Sequence, residues 1–113
     1  MNRIFFALLG LLLIISCNKE NLPKETPKCI KDKIQDIADG ESWNPTAKIY
    51  SYTYNGEIVY YFPAHCCDVT GKVFDSNCIL ICSPDGGLTG SGDGLCSDFF
   101  TTRSNETLVW EDN

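Results

Sequence analysis

The chain has 113 residues, a mass of 12.6 kDa, seven cysteines and a formal charge of −6. That length suits one small folded domain, and 43% hydrophobic against 21% charged residues argues against a disordered chain. The acidic balance argues against a nucleic-acid partner, because phosphate contacts need a basic surface, and a single histidine excludes a site built from several.

The first residues read as an address. Arg3 supplies a positive start, and residues 4–15 are apolar except for Gly10. That run is shorter than the roughly 20 residues a bilayer-spanning helix needs. A basic start, an apolar middle and a small residue before a cut describe a secretory signal peptide, here residues 1–16. Its end, Ile14-Ile15-Ser16-Cys17, resembles the lipobox of bacterial lipoproteins. The resemblance implies cleavage before Cys17 and acylation of Cys17, so the membrane partner is reached through lipid. Asn18 stands where aspartate often marks inner-membrane retention, which points to the outer membrane. Lys19-Glu20 resembles the charged tag that carries some lipoproteins of Bacteroidota-type bacteria to the cell surface. Loss of Arg3 with the leader leaves the mature chain more acidic still, so lipid and not charge would hold it at a membrane.

Residues 17–28 combine the lipidated cysteine with a tether. Lys19, Glu20, Asn21, Pro23, Lys24, Glu25 and Pro27 give it a linker composition. Extended, it reaches on the order of 35 Å. Residues 29–113 then form a single disulfide-rich domain.

Thr26-Pro27 suits a helix start, with threonine as cap and proline in the first turn. Ile30, Ile34, Ile37 and Ala38 lie on one helical stripe, and Gly40 is placed to end it. From Ala47 to Tyr54 the residues alternate, with tyrosines at 50, 52 and 54. Asn55-Gly56 between two β-rich runs predicts a type I′ hairpin with Glu57 to Phe62 as its second strand. That loop pairs Tyr54 with Glu57, Tyr52 with Val59 and Tyr50 with Tyr61. Both faces are fairly apolar, so the hairpin is expected to be covered on both sides or extended by further strands. Pro63 ends the run. Lys72 to Asp75 and Cys78 to Cys82 predict two more short strands around Asp75-Ser76-Asn77. Residues 84–94 form a glycine-rich loop, after which Phe99, Phe100, Leu108, Val109 and Trp110 return apolar groups to the core. The expected fold is α+β: one N-terminal helix on a small antiparallel sheet with a Tyr-rich hairpin, stapled by disulfides.

With Cys17 acylated, Cys29, Cys66, Cys67, Cys78, Cys82 and Cys96 remain, an even set that reads as disulfides in an exported domain. Cys78 and Cys82 are too far apart on an extended strand to bond each other, so they need separate partners. Adjacent Cys66 and Cys67 face opposite sides of an extended segment, and the expected scheme sends each to a different partner.

Three clusters could carry chemistry. His65-Cys66-Cys67-Asp68 suits a soft metal or a cysteine nucleophile, but both need free thiols. A disulfide knot with a histidine beside it is the favoured reading. In the glycine-rich loop Asp85 and Asp93, with Asp98 beyond it, could offer oxygens to calcium, although the EF-hand spacing is absent. A tight loop with glycines at positive φ, pinned at its far end by Cys96, is favoured instead. Trp43 and Tyr50, Tyr52, Tyr54, Tyr60 and Tyr61 could contact a glycan or protein, or fill the sheet core, which is the favoured reading. Neither a dinucleotide fingerprint nor a P-loop is present, so no cofactor is expected. His65 alone makes no convincing serine–histidine–acid set, and the chain is expected not to be an enzyme.

Several stretches resemble small, uncharacterised bacterial lipoproteins of the Bacteroidota type that carry a cysteine-rich domain of unknown function. They are Trp43-Asn44-Pro45, Ala47-Lys48-Ile49-Tyr50, the Tyr54–Tyr61 hairpin, His65-Cys66-Cys67-Asp68, Cys82 to Gly87 and Gly92-Asp93-Gly94. The resemblance runs from Cys29 to Trp110, with a departure at Asp75-Ser76-Asn77-Cys78. It implies location and domain extent and no activity. The expected function is a lipid-anchored, disulfide-stapled binding or structural module of the cell envelope, with an envelope or extracellular protein or glycan as partner. A metal-binding lipoprotein, with soft metal at His65, Cys66 and Cys67 or calcium at Asp85 and Asp93, is the alternative.

Overall fold

The computed structural model of the chain describes residues 22–66 and 69–112. The leader, Cys17, the first part of the tether, Cys67 and Asp68 therefore lie outside the described residues. Helix α1 spans Lys28–Asp39. Strands β1 (Lys48–Tyr54), β2 (Glu57–Phe62), β3 (Lys72–Phe74), β4 (Leu80–Cys82) and β5 (Ser104–Glu111) form one antiparallel sheet in the order β4-β3-β2-β1-β5. A single turn of helix, α2 (Phe99–Thr102), precedes β5. No helix among the described residues is long and apolar enough to cross a membrane.

The hairpin forms because its turn residues can adopt the conformation it needs. Asn55 and Gly56 have φ of 52° and 80°, the pair of positive values that matches the twist of the flanking strands. The register follows: Tyr54 opposes Glu57, Tyr52 opposes Val59 and Tyr50 opposes Tyr61. Side chains then alternate between two cores. On one face, Ile49, Tyr60, Phe62, Phe74 and Val109 meet Ile30 and Ile34 of α1. On the other, Tyr52, Tyr54, Val59, Tyr61 and Val73 enclose Phe99 of α2 with Cys82 and Cys96. Each fully buried apolar side chain stabilises the fold by about 1.5–3 kcal/mol, so two thin cores share the work.

The stripe on α1 buries Ile30 and Ile34, leaves Ile37 half-buried and Ala38 exposed. Its ends differ from expectation. Pro27 occupies the cap position with no side-chain cap, and Thr26 is instead buried, its N–H bonded to the Pro23 carbonyl at 3.0 Å. Gly40 ends the helix at φ −91°, outside the left-handed region, by donating its N–H to the Ile37 carbonyl. Leu22 packs on the helix-side core.

Two strands depart from the sequence reading. β4 begins at Leu80 and not at Cys78, because Cys78 sits in the turn at φ 65°. The Asp75 carboxylate builds that turn by accepting the N–H groups of Asn77 and Ile79. β5 is a full strand where only returning apolar residues were expected. It pairs with β1 through two register shifts, and Asn105 on it has φ 56°.

Disulfides tie both layers to the β4 edge. Cys29 on α1 bonds Cys78, and Cys82 on β4 bonds Cys96 in the segment that leads to α2. Cys78 and Cys82 thus take separate partners. The scheme in which Cys66 and Cys67 divide the other cysteines between them fails, because those four bond one another. Cys66 is itself disulfide-bonded.

Candidate functional site

The tyrosines of the hairpin are structural. Tyr52, Tyr54 and Tyr61 surround Phe99 with ring centroids 5.6, 5.2 and 5.6 Å away. Each hydroxyl then reaches a carboxylate. Tyr52 donates to Glu106 at 2.9 Å, Tyr54 to Asp98 at 2.7 Å and Tyr61 to both oxygens of Asp85 at 3.0 and 2.8 Å. Charge-assisted bonds of this kind are stronger than neutral ones. They keep the phenols protonated. Burial, then the bond to Glu106, pushes Tyr52 up to about 12. Burial, then Asp85, pushes Tyr61 up as well. For Tyr54 the bond to Asp98 is the larger cause of its upward shift, and for Tyr60 it is burial. The Arg103 guanidinium covers this face, 4.4 Å from the Tyr52 ring centroid and 4.7 Å from Phe100.

The two aspartates proposed for calcium are likewise engaged within the protein. Asp85 holds Tyr61, while the Asp93 carboxylate accepts the N–H groups of Ser83 and Leu95, both at 3.0 Å. Asp98 receives Tyr54 and, through its carbonyl, the hydroxyls of Thr101 and Thr102. The glycine loop closes on itself through backbone bonds, with positive φ at Gly86, Gly87, Gly90, Gly92 and Gly94. Among the described residues, no three His, Cys, Asp or Glu side chains gather to hold a metal. The thiolate that a soft-metal site would draw from Cys66 is committed to a disulfide.

What remains for a ligand is a pair of rings that belong to different sequence clusters. Trp43, in the loop before β1, stacks on His65, in the loop after β2, with centroids 4.0 Å apart and planes 15° from parallel. The hairpin register explains the meeting. Continued beyond the strand ends, it brings His65 opposite Thr46, beside the segment that carries Trp43. Trp43 is half-buried and His65 exposed. Both rings border two neighbouring grooves of about 240 Å³ each. One lies against α1, with Phe62, Pro63 and Phe74 beneath it and Lys33, Asp36 and Lys72 around it. The other runs over Pro45 and Ala47 towards Lys48 and Tyr50. These dimensions suit a small ligand and lie below the usual range for drug-sized sites.

A family model described as a domain of unknown function, DUF6970, matches residues 35–112. The chain belongs to this family. No curated protein and no solved structure matches it. The DUF6970 match takes in Trp43, His65, Lys72 and the whole sheet, and it begins inside α1, after Lys33. The Cys29–Cys78 bond therefore links a residue before the DUF6970 span to one within it.

Proposed function

We propose that this DUF6970 protein is a lipid-anchored binding module of the bacterial cell envelope, held by acyl chains on Cys17. The observation that carries the binding part is the Trp43–His65 stack, which borders two grooves on a scaffold stapled on both faces. Half-buried Trp43 and exposed His65 belong to neither core, whereas Tyr52, Tyr54 and Tyr61 have their hydroxyls bonded to carboxylates. Binding and not catalysis is the reading, because the histidine stacks on an indole and Cys66 is oxidised. The anchor rests on the lipobox-like Ile14-Ile15-Ser16-Cys17, and the paired cysteines fit an oxidising compartment.

The test is metabolic labelling with an alkyne-bearing palmitate, followed by fractionation. The wild-type chain should take the label and sediment with membranes, and Cys17→Ala should lose the label and leave them. An unlabelled wild-type chain refutes the anchor. For the binding part, detergent-solubilised protein should be retained by immobilised envelope extract. Trp43→Ala should elute early while unfolding at the wild-type temperature. Equal retention of both proteins refutes a site at Trp43.

A further inference from the structure

The groove between α1 and the Trp43–His65 pair differs in charge from the protein around it. The chain has fifteen acidic residues against nine basic, yet Lys33 and Lys72 border this groove with Asp36 the sole carboxylate of its described lining. Uncharged groups hold both ammonium groups in place. Lys72 Nζ donates to the Thr70 carbonyl at 3.3 Å and lies 3.4 Å from Thr70 Oγ1. Lys33 Nζ lies 4.3 Å from the centroid of the Phe74 ring. An ammonium held over an arene keeps its charge available to an anion, since the arene contributes a quadrupole and no counter-charge. The groove floor is apolar, with Phe62 and Phe74 edge to face at 5.4 Å.

A ligand that fits has three properties. It presents an apolar face to flat rings, as Trp43 and His65 require. It carries hydroxyls on its edge for Asp36, whose carboxylate can accept hydrogen bonds there. It brings a carboxylate for Lys33 and Lys72. A pyranose ring has C–H groups on its face and hydroxyls at its rim, and an acidic sugar adds the carboxylate. We propose that this groove binds an acidic saccharide, a pyranose bearing a carboxylate, one or two rings at a time. The proposal rests on the binding-module reading and names its ligand class. A flat aromatic carboxylate would serve the rings and lysines but offer Asp36 no hydroxyl, and a neutral sugar would offer the two ammonium groups no counter-charge.

The full chain carries two tryptophans. Trp110→Phe, in a detergent without a sugar headgroup, makes Trp43 the single indole reporter. Oligogalacturonate and glucuronate should change its emission saturably, and raised salt should weaken the effect. Lys33→Gln with Lys72→Gln should lower affinity by about tenfold with little change in the unfolding temperature, because uncharged groups and no carboxylate hold the two ammonium groups in the free protein. Glucose oligomers and benzoate should bind at least tenfold more weakly than the uronates. Neutral oligomers binding as tightly as uronates overturn the proposal, as does benzoate binding more tightly, or uronates giving no saturable change. If uronates fail while Trp43→Ala still abolishes retention on envelope extract, the ligand class falls and the module reading stands. If uronates fail and retention is also indifferent to Trp43, both fall.

Discussion

Tyr61→Phe isolates one hydroxyl without opening a cavity. The ring of Tyr61 stays packed against Phe99 and Phe100, and the residue is 7% exposed. What goes is a bond to both oxygens of Asp85, at 3.0 and 2.8 Å. That aspartate also anchors the glycine loop to the sheet, its carbonyl accepting the Gly71 N–H at 3.0 Å. A hydrogen bond to a charged group is worth about 1.5–3 kcal/mol net. The variant should therefore lose about 2 kcal/mol, close to a 10 °C fall in Tm for a domain this small. Asp85→Asn should lose a similar amount, and the double variant less than the two added together. The pH dependence has a fixed sign. Folding raises the phenol, by burial first and Asp85 second, so its contribution is whole below the unfolded value near 10. It is lost as pH rises through the folded value. Tyr52, raised to about 12, adds a further loss between about pH 10 and that value. Urea melts at stepped pH should show wild-type stability falling above pH 10, and Tyr61→Phe should flatten part of that fall. A Tyr61→Phe variant with wild-type Tm, or with an unchanged alkaline limb, refutes the clamp.

The glycine loop offers a matched pair. Gly92 has φ 70°, and an added Cβ would collide with the Ser83 carbonyl oxygen and lie 2.6 Å from the Asp85 nitrogen, whereas Gly90 at φ 82° has open space around it. Gly90→Ala should cost about 1 kcal/mol of backbone strain and Gly92→Ala at least twice that, measured by thermal unfolding. The disulfides should rank by more than loop length. Chain-entropy arguments give about 4 kcal/mol for Cys29–Cys78, separated by 49 residues, and about 3 for Cys82–Cys96, separated by 14. Cys82 and Cys96 are buried, however, so replacing both by alanine should add a cavity loss that closes or reverses the gap. A loss at Cys29–Cys78 that exceeds the loss at Cys82–Cys96 by the full difference loop length gives would contradict that burial argument. Phe99→Ala, at a side chain with no exposure among three tyrosines, should cost about 3–5 kcal/mol and is expected to leave the domain largely unfolded at 37 °C.

The hairpin was legible because its signal is local. Asn55-Gly56 sets the turn, and the turn sets every pairing down the strands. The helix was legible from Ile30 and Ile34, and the coverage of both sheet faces from apolar residues on both sides of β1 and β2. β5 was not, because Ser104-Asn105-Glu106-Thr107 is polar and its two register shifts against β1 break the alternation a strand is read by. The start of β4 was misplaced because the Asp75 carboxylate extends the turn through Ile79, which spacing alone does not show. The Trp43–His65 stack was missed for a different reason. In sequence, His65 groups with its neighbours Cys66 and Cys67, and Trp43 with the tyrosines. The hairpin register, continued past the strand ends, is the signal that brings the two loops together.

Trp43 and His65 belong to neither core, and in the proposed reading they serve a ligand. Retention of the detergent-solubilised full chain on immobilised envelope extract, run beside its thermal unfolding, separates a ligand role from a scaffold role. Trp43→Ala and His65→Ala should both keep the wild-type Tm within a degree or two and both lose retention. If either variant binds as the wild type does, or loses binding only because it unfolds, the ring pair is part of the scaffold and the site lies elsewhere.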